Sequence, residues 1–230
     1  MARDLPHAVL DLADIAEVGS LDGYADRLAR WSVELAPVAA AAVVLRDDEG
    51  TLRVCAAWPD WIRALPEAAI AGGTGLATEC CARAEPVWAD DVTECDRSTF
   101  RAMALRLGIR GAYAAPVLHS EKLFGALGVY YRDDGGDRAG IEHVCAVLAE
   151  GAGIGLANMA EYQRLRVLAG QLQSALESRV VIEQAKGILA ERRHIDVNQA
   201  FSILRRLARE NNLRLHDVAR TTVQTLTKDL

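Results

Sequence analysis

The chain has 230 residues, 51% apolar and 25% charged, with a formal net charge of −6. It is long enough for one large domain or two small ones with a sizeable core. No run reaches the roughly 18 apolar residues of a membrane helix, and the opening MARDLPHAVLDLAD, with acids inside its apolar stretch, does not read as a signal peptide.

Five cysteines, an odd number with Cys80 and Cys81 adjacent and no CxxC, argue against a disulfide framework or a zinc site. A cytoplasmic protein, away from membranes, is the expectation. The charge is uneven. Residues 1–170 carry 16 Lys+Arg and 25 Asp+Glu, a net of −9. Residues 171–230 carry 10 and 7, a net of +3. An acidic body with a basic tail points to a nucleic-acid partner for the tail.

In chain order, residues 8–35 read as helix, ending before Pro37. Ala39–Arg46 and Thr51–Trp58 are β-type runs joined by Asp47-Asp48-Glu49-Gly50, a hairpin. AGGTGLATECCARAEPVWADD gives a Gly-rich loop, a short helix and a short strand at Pro86–Ala89. RAMALRLGIRG is a helix closed near Gly108. GAYAAPVLHSEKLFGALGVYYRDD is a second hairpin turning at His119–Lys122. Helical pattern then runs from Arg138 to about Arg192, softened only by Gly151, Gly153, Gly155 and Gly170. An antiparallel sheet flanked by helices follows, an α+β domain, with a helical tail after it.

The loop GGTGLATECCARAEPVWADDV, followed by GIRGAYAAPVLHSEKLFGALGVY, resembles a GAF domain. The matching features are the G-x-G before a helix, the P-V strand and the hairpin with a late F-G-x-L. The resemblance spans residues 8–160 and implies a sensor domain, of a family whose members bind many different small molecules or none. The asparagine-lysine-phenylalanine-aspartate-glutamate set of cyclic-nucleotide GAF domains and the Cys-His of bilin-binding ones are missing, so the residues name no cofactor. Trp58, Trp88 and Tyr113 are candidate pocket residues, with ordinary core packing the alternative. Cys80-Cys81 and Cys95 form a redox switch on one reading and are buried inert thiols on the preferred one, since no cation immediately flanks the vicinal pair. No catalytic residues are expected: P-loop, G-x-S-x-G and paired His-carboxylate motifs are missing.

Residues 174–230 resemble an ANTAR domain, on Arg179, Ile182, Ala185-Lys186-Gly187-Ile188-Leu189, Ala200-Phe201, Leu204, Ala208, Leu215 and Val218-Ala219. This resemblance implies a three-helix module that binds hairpin loops in nascent RNA, as in transcription antiterminators. His194 stands in a turn where many relatives have glycine or a small polar residue.

The residues themselves give a stripe and a flank. At 100° per residue, Val181, Ile182, Ala185, Ile188 and Leu189 share one face, a core stripe. Arg179, Lys186 and Arg193, seven apart, line one side of it, with Ala190 beside them and Gly187 further out. A ladder of cations suits phosphates, and small neighbours suit close approach. The residues alone leave open whether Gly187 instead packs inside the protein; the resemblance favours RNA. Asp196-x-x-Gln199 resembles a capping box. The next helix has a stripe of Ala200, Phe201, Leu204, Leu207 and Ala208, flanked by Arg205 and Arg209. These arginines extend the basic surface or pair with acids such as Glu210. The third helix buries Leu215, Val218, Ala219, Thr222 and Leu226, with His216 at the surface.

Residues 161–178 form the linker. Leu165, Leu168, Leu172 and Ala175 follow 3-4 spacing, a short parallel coiled coil that predicts a homodimer. The rival readings are a DNA-binding factor, with LRLHDVARTTVQTL as recognition helix, and a redox enzyme using the cysteines. Against the first, Glu210–Leu213 lacks the turn glycine of such motifs.

Overall fold

The computed structural model describes residues 4–14, 20–47, 49–95, 98–132 and 137–227. The chain divides into two units, Met1–Glu161 and Tyr162–Leu230.

The first unit opens with α1 (Leu5–Ala13) and α2 (Leu21–Leu35). The sequence suggests one helix across 8–35, but the backbone leaves helical geometry at Asp14. It restarts where the Ser20 side chain accepts the Gly23 N–H at 3.1 Å, an N-cap that satisfies one of the orphan donors of a first turn. Residues 15–19 of the expected helix lie outside the described residues. The two helices are tied together by Asp11, which accepts from the Trp31 indole at 2.7 Å and from Arg27 at 3.2 Å.

The first hairpin is β1 (Ala40–Arg46) and β2 (Leu52–Trp58). Asp47 shapes its turn by accepting from the N–H groups of Glu49 and Thr51; Asp48 of the expected turn lies outside the described residues. α3 (Ala64–Ala71) follows, a helix the sequence reading passed over. Its Pro66 sits in the first turn, where a missing N–H costs nothing, and the Gly72 N–H closes it on the Ala68 carbonyl. Then come α4 (Leu76–Arg83), β3 (Val87–Ala89), α5 (Ser98–Arg106), the hairpin β4 (Gly111–His119) and β5 (Lys122–Tyr131), and the 56-residue α6 (Arg138–Arg193).

Among the described residues the sheet has five antiparallel strands in the order β2-β1-β5-β4-β3. Successive side chains of a strand point to opposite faces, and both faces are covered. Ala41, Val43 and Leu45 of β1 join Tyr113, Val117, Leu127 and Val129 under α1, α2 and α6. Ala40, Ala42 and Val44 join Ala112, Ala114 and Ala126 under α3, α4 and α5. A strand buried on both sides needs an unbroken apolar run rather than an alternating one, which is why AAAVVL is a strand.

α6 packs on the first face through Ile141, Cys145, Leu148, Ala149, Ala152 and Leu156, a 3-4 stripe. Its glycines are contact points. A Cβ on Gly153 would collide with the Leu118 carbonyl, and one on Gly155 with the Tyr24 hydroxyl. By length and composition α6 contains a window that could pass for a membrane span, but half of that window is buried in protein, as a helix packed on a sheet requires.

The second unit takes the C-terminal part of α6, then α7 (Val197–Glu210) and α8 (Leu215–Thr227). Ala185, Leu189, Ala200, Leu204, Ala208, Val218 and Ala219 form its core. Asp196 and Gln199 make the full capping box. Both turns close without glycine. His194 takes φ 49° and Asn212 φ 51°, and the Ile195 and Leu213 N–H groups reach back to the Ala190 and Ala208 carbonyls at 3.1 and 2.9 Å. These are Schellman closures, whose C′ residue is left-handed. Asn212 thus does the work of the glycine missing from Glu210–Leu213, and that objection to a helix-turn-helix falls. His216 is half-buried rather than on the surface. The side chain of Leu226 lies outside the described residues.

Candidate nucleic-acid interface

The stripe and the flank of α6 separate largely as their helical phase requires. Ala185 and Leu189 are buried, and Val181 and Ile182 pack against them. Arg179 and Arg193 are exposed, the latter as the last residue of α6. Seven residues advance the helix by about 10.5 Å and bring the side chain back to within about 20°. The three cations therefore form a row two turns apart.

Lys186 is less free than its phase suggests. Its side chain is 16% exposed, and its ammonium donates to both Glu183 carboxylate oxygens at 2.9 Å. The ammonium also lies 5.3 Å from the centroid of the Phe201 ring. Glu183 precedes it by three residues, a spacing that brings side chains together on a helix surface, so this partner was legible in the sequence.

Gly187 settles one of the alternatives left open by the residues. It is exposed, and a Cβ built on it would meet nothing within 4 Å. Among the described residues, no neighbouring helix needs a glycine there. Ala190 goes the other way. It is half-buried, packs on the helical core, and its carbonyl closes the α6 turn.

On α7, Arg205 and Arg209 are exposed. Glu210 pairs with Arg206, at 3.9 Å, rather than with either of them. The Arg205 guanidinium lies 5.7 Å from the Phe201 centroid. Phe201 is therefore where α6 and α7 bring their cations together. Its expected place in the core stripe is not where the structure puts it. It is half-buried and outside the core cluster, while Ile203 packs there instead. Leu207, also expected inside, is 38% exposed. The angular signal existed: Phe201 stands at the edge of the Ala200–Leu204–Ala208 arc, one turn from Arg205.

In the first unit, Trp88 and Tyr113 come together with ring centroids 4.3 Å apart, and the Arg138 guanidinium lies 4.3 Å from the Trp88 ring. Trp58 lies on β2, at the opposite edge of the sheet, with Arg30 3.7 Å from its ring. The three tryptophan and tyrosine candidates do not share one pocket. A cleft of about 310 Å³ opens beside Tyr113, walled by Pro86, Pro116, Leu118 and Ala149.

All five cysteines are buried and none is in a disulfide. Burial pushes the thiol of Cys80 up to about 12, that of Cys81 to about 11 and that of Cys145 to about 12. Thiolate is the reactive form, so at neutral pH the vicinal pair is poorly suited to redox chemistry.

A family model described as the GAF domain matches residues 19–157, and one described as the ANTAR domain matches residues 170–223. No curated protein matches the chain. Among solved structures, a GAF domain from a Coxiella burnetii phosphoenolpyruvate-protein phosphotransferase is 16% identical with TM-score 0.54, over 70% of this chain and 96% of that one. The GAF domain of an Acinetobacter phosphoenolpyruvate-protein phosphotransferase is 15% identical with TM-score 0.53, over 68% and 92%. The nlh2 GAF domain of A. aeolicus is 14% identical with TM-score 0.52, over 67% and 96%. At such identities the likeness is one of fold. The chain belongs to the GAF domain family, with an ANTAR domain following the GAF domain.

Proposed function

We propose that this protein is a signal-responsive regulator that binds hairpin loops of nascent RNA and prevents transcription termination. In this reading residues 8–160 sense a small molecule, residues 161–178 link, and residues 174–230 bind RNA, in the cytoplasm where nascent transcripts are made. The observation that carries the reading is the ANTAR match over residues 170–223. The basic residues of α6 and α7 fall in that same segment. Arg179, Lys186 and Arg193 supply phosphate contacts, Gly187 gives close access to the helix, and Arg205 and Arg209 extend the surface. Ala190, half-buried beside them, keeps the flank small where RNA approaches and also holds α6 to its core.

The protein is proposed to act as a homodimer. Leu165, Leu168 and Leu172 on α6 are each about half exposed and Ala175 is exposed too, at the 3-4 spacing of a coiled-coil seam. Pairing two modules raises the effective concentration of the second for a second hairpin.

Binding to hairpin RNA, compared with duplex DNA of matched length and salt, tests the reading. Stronger retention of the RNA is expected. Preference for the duplex would install the helix-turn-helix alternative instead.

A further inference from the structure

Phe201 is the one Phe, Tyr or Trp between residues 170 and 223, and the helical core does not use it. The core takes Ala200, Leu204 and Ala208 from α7, meeting α6 and α8. The ring of Phe201 is left half-buried at the edge of that arc. Two cations attend it from two different helices, the Lys186 ammonium at 5.3 Å and the Arg205 guanidinium at 5.7 Å. Both lie within the roughly 6 Å at which a cation is drawn to a ring face. One residue on from Lys186, Gly187 opens onto empty space.

Aromatic rings at basic surfaces have a defined use in single-stranded nucleic acid recognition. An unpaired base stacks on the ring, and neighbouring cations take the phosphates on either side of it. We propose that Phe201 is a base-stacking platform that receives one unpaired nucleobase of a hairpin loop, with Lys186 and Arg205 neutralising the flanking phosphates. This inference rests on the RNA-binding reading above and adds the contact that gives it a preference for unpaired RNA. A duplex hides its base faces, whereas a loop can splay one out. The Glu183 carboxylate, held by Lys186 in the free protein, is released to solvent as the ammonium turns to phosphate.

Stacking and charge contacts leave different signatures. A phosphate contact changes the salt dependence of binding, while a stacked base does not. The probe is a hairpin selected from a loop-randomised RNA pool for binding the full-length wild-type chain. It is then resynthesised with the fluorescent base 2-aminopurine at each loop position in turn. One position is expected to quench on binding, and Phe201→Leu should abolish that quench. Phe201→Leu should also lower affinity about 5- to 150-fold, the range measured for one base stacked on an aromatic side chain. The slope of log K against log salt should not change. Phe201→Tyr, which keeps the ring, should retain both the quench and the affinity.

Three results would overturn the platform while leaving RNA binding intact: no loop position quenching with the wild type, Phe201→Leu binding as well as the wild type, or a loss of affinity matched by a shallower salt slope. The last would make the ring a support for Lys186 only. If Phe201→Leu fails to fold, the wild-type scan and Phe201→Tyr still decide. A pool that yields no binding hairpin would overturn the RNA reading itself.

Discussion

A glycine inside a helix costs about 1 kcal/mol relative to alanine, so Gly187 needs a reason. Its Cβ direction is empty, and the fold does not supply one. Gly187→Leu is therefore expected to raise stability by up to about 1 kcal/mol, because leucine is a strong helix former and nothing obstructs it. Hairpin RNA affinity should collapse in the same variant. A protein that melts lower would mean that Gly187 is packed, against a partner subunit if not within the chain. The cysteines give a second residue-scale prediction, in pH. Burial raises the folded-state thiol pKa of Cys80, Cys81 and Cys145 above the ordinary value of 9. Above about pH 9 the unfolded chain then holds fewer protons than the folded one, so stability falls as pH rises. The melting temperature should decline from about pH 9 towards pH 11, and Cys145→Ala should flatten that decline. A thermal scan indifferent to pH across that window, in protein kept reduced, would contradict the burial of these thiols.

At the scale of elements, the seam on α6 makes a direct prediction. Leu168→Asp and Leu172→Asp together would place carboxylates in an apolar interface, where an unpaired charge is costly. Light scattering at micromolar concentration should show a dimer for the wild type and a monomer for the double variant. A wild-type monomer, with and without RNA, would remove the two-site mechanism. The elements also show what a sequence can and cannot disclose. Both hairpins, α6 and the Asp196–Gln199 capping box were legible because their signals are local: apolar runs bounded by turn residues, 3-4 spacing, a cap three residues from its partner. The α1–α2 break was hidden because the apolar pattern continues across it, and the marks of the restart, Gly19-Ser20, are brief. α3 went unassigned because it is short, carries Pro66 in its first turn and runs straight into the Gly72-Gly73 pair. The turns at His194 and Asn212 close in left-handed geometry that is usually glycine's, so the rule that looks for glycine misjudged the second. Phe201 was misplaced because an aromatic beside Ala200 looks like core. Its position depends on how far the buried arc extends, a tertiary matter.

At the scale of the molecule, two units share one helix: α6 packs on the sheet through Ile141–Leu156 and carries the basic row between Arg179 and Arg193. The body is net negative and the tail net positive. Phosphate is repelled by the first and drawn to the second, so the sensor is suited to controlling RNA binding rather than joining it. The central claim is that the flank of α6 marked by Lys186 meets RNA phosphate. The measurement that bears on it most directly is the salt dependence of hairpin RNA binding by the full-length wild type and by Lys186→Ala. Losing one phosphate contact should weaken binding and reduce the magnitude of the slope of log K against log salt by about 0.7 to 0.9. A Lys186→Ala protein that binds with the wild-type affinity and the wild-type slope would contradict the account.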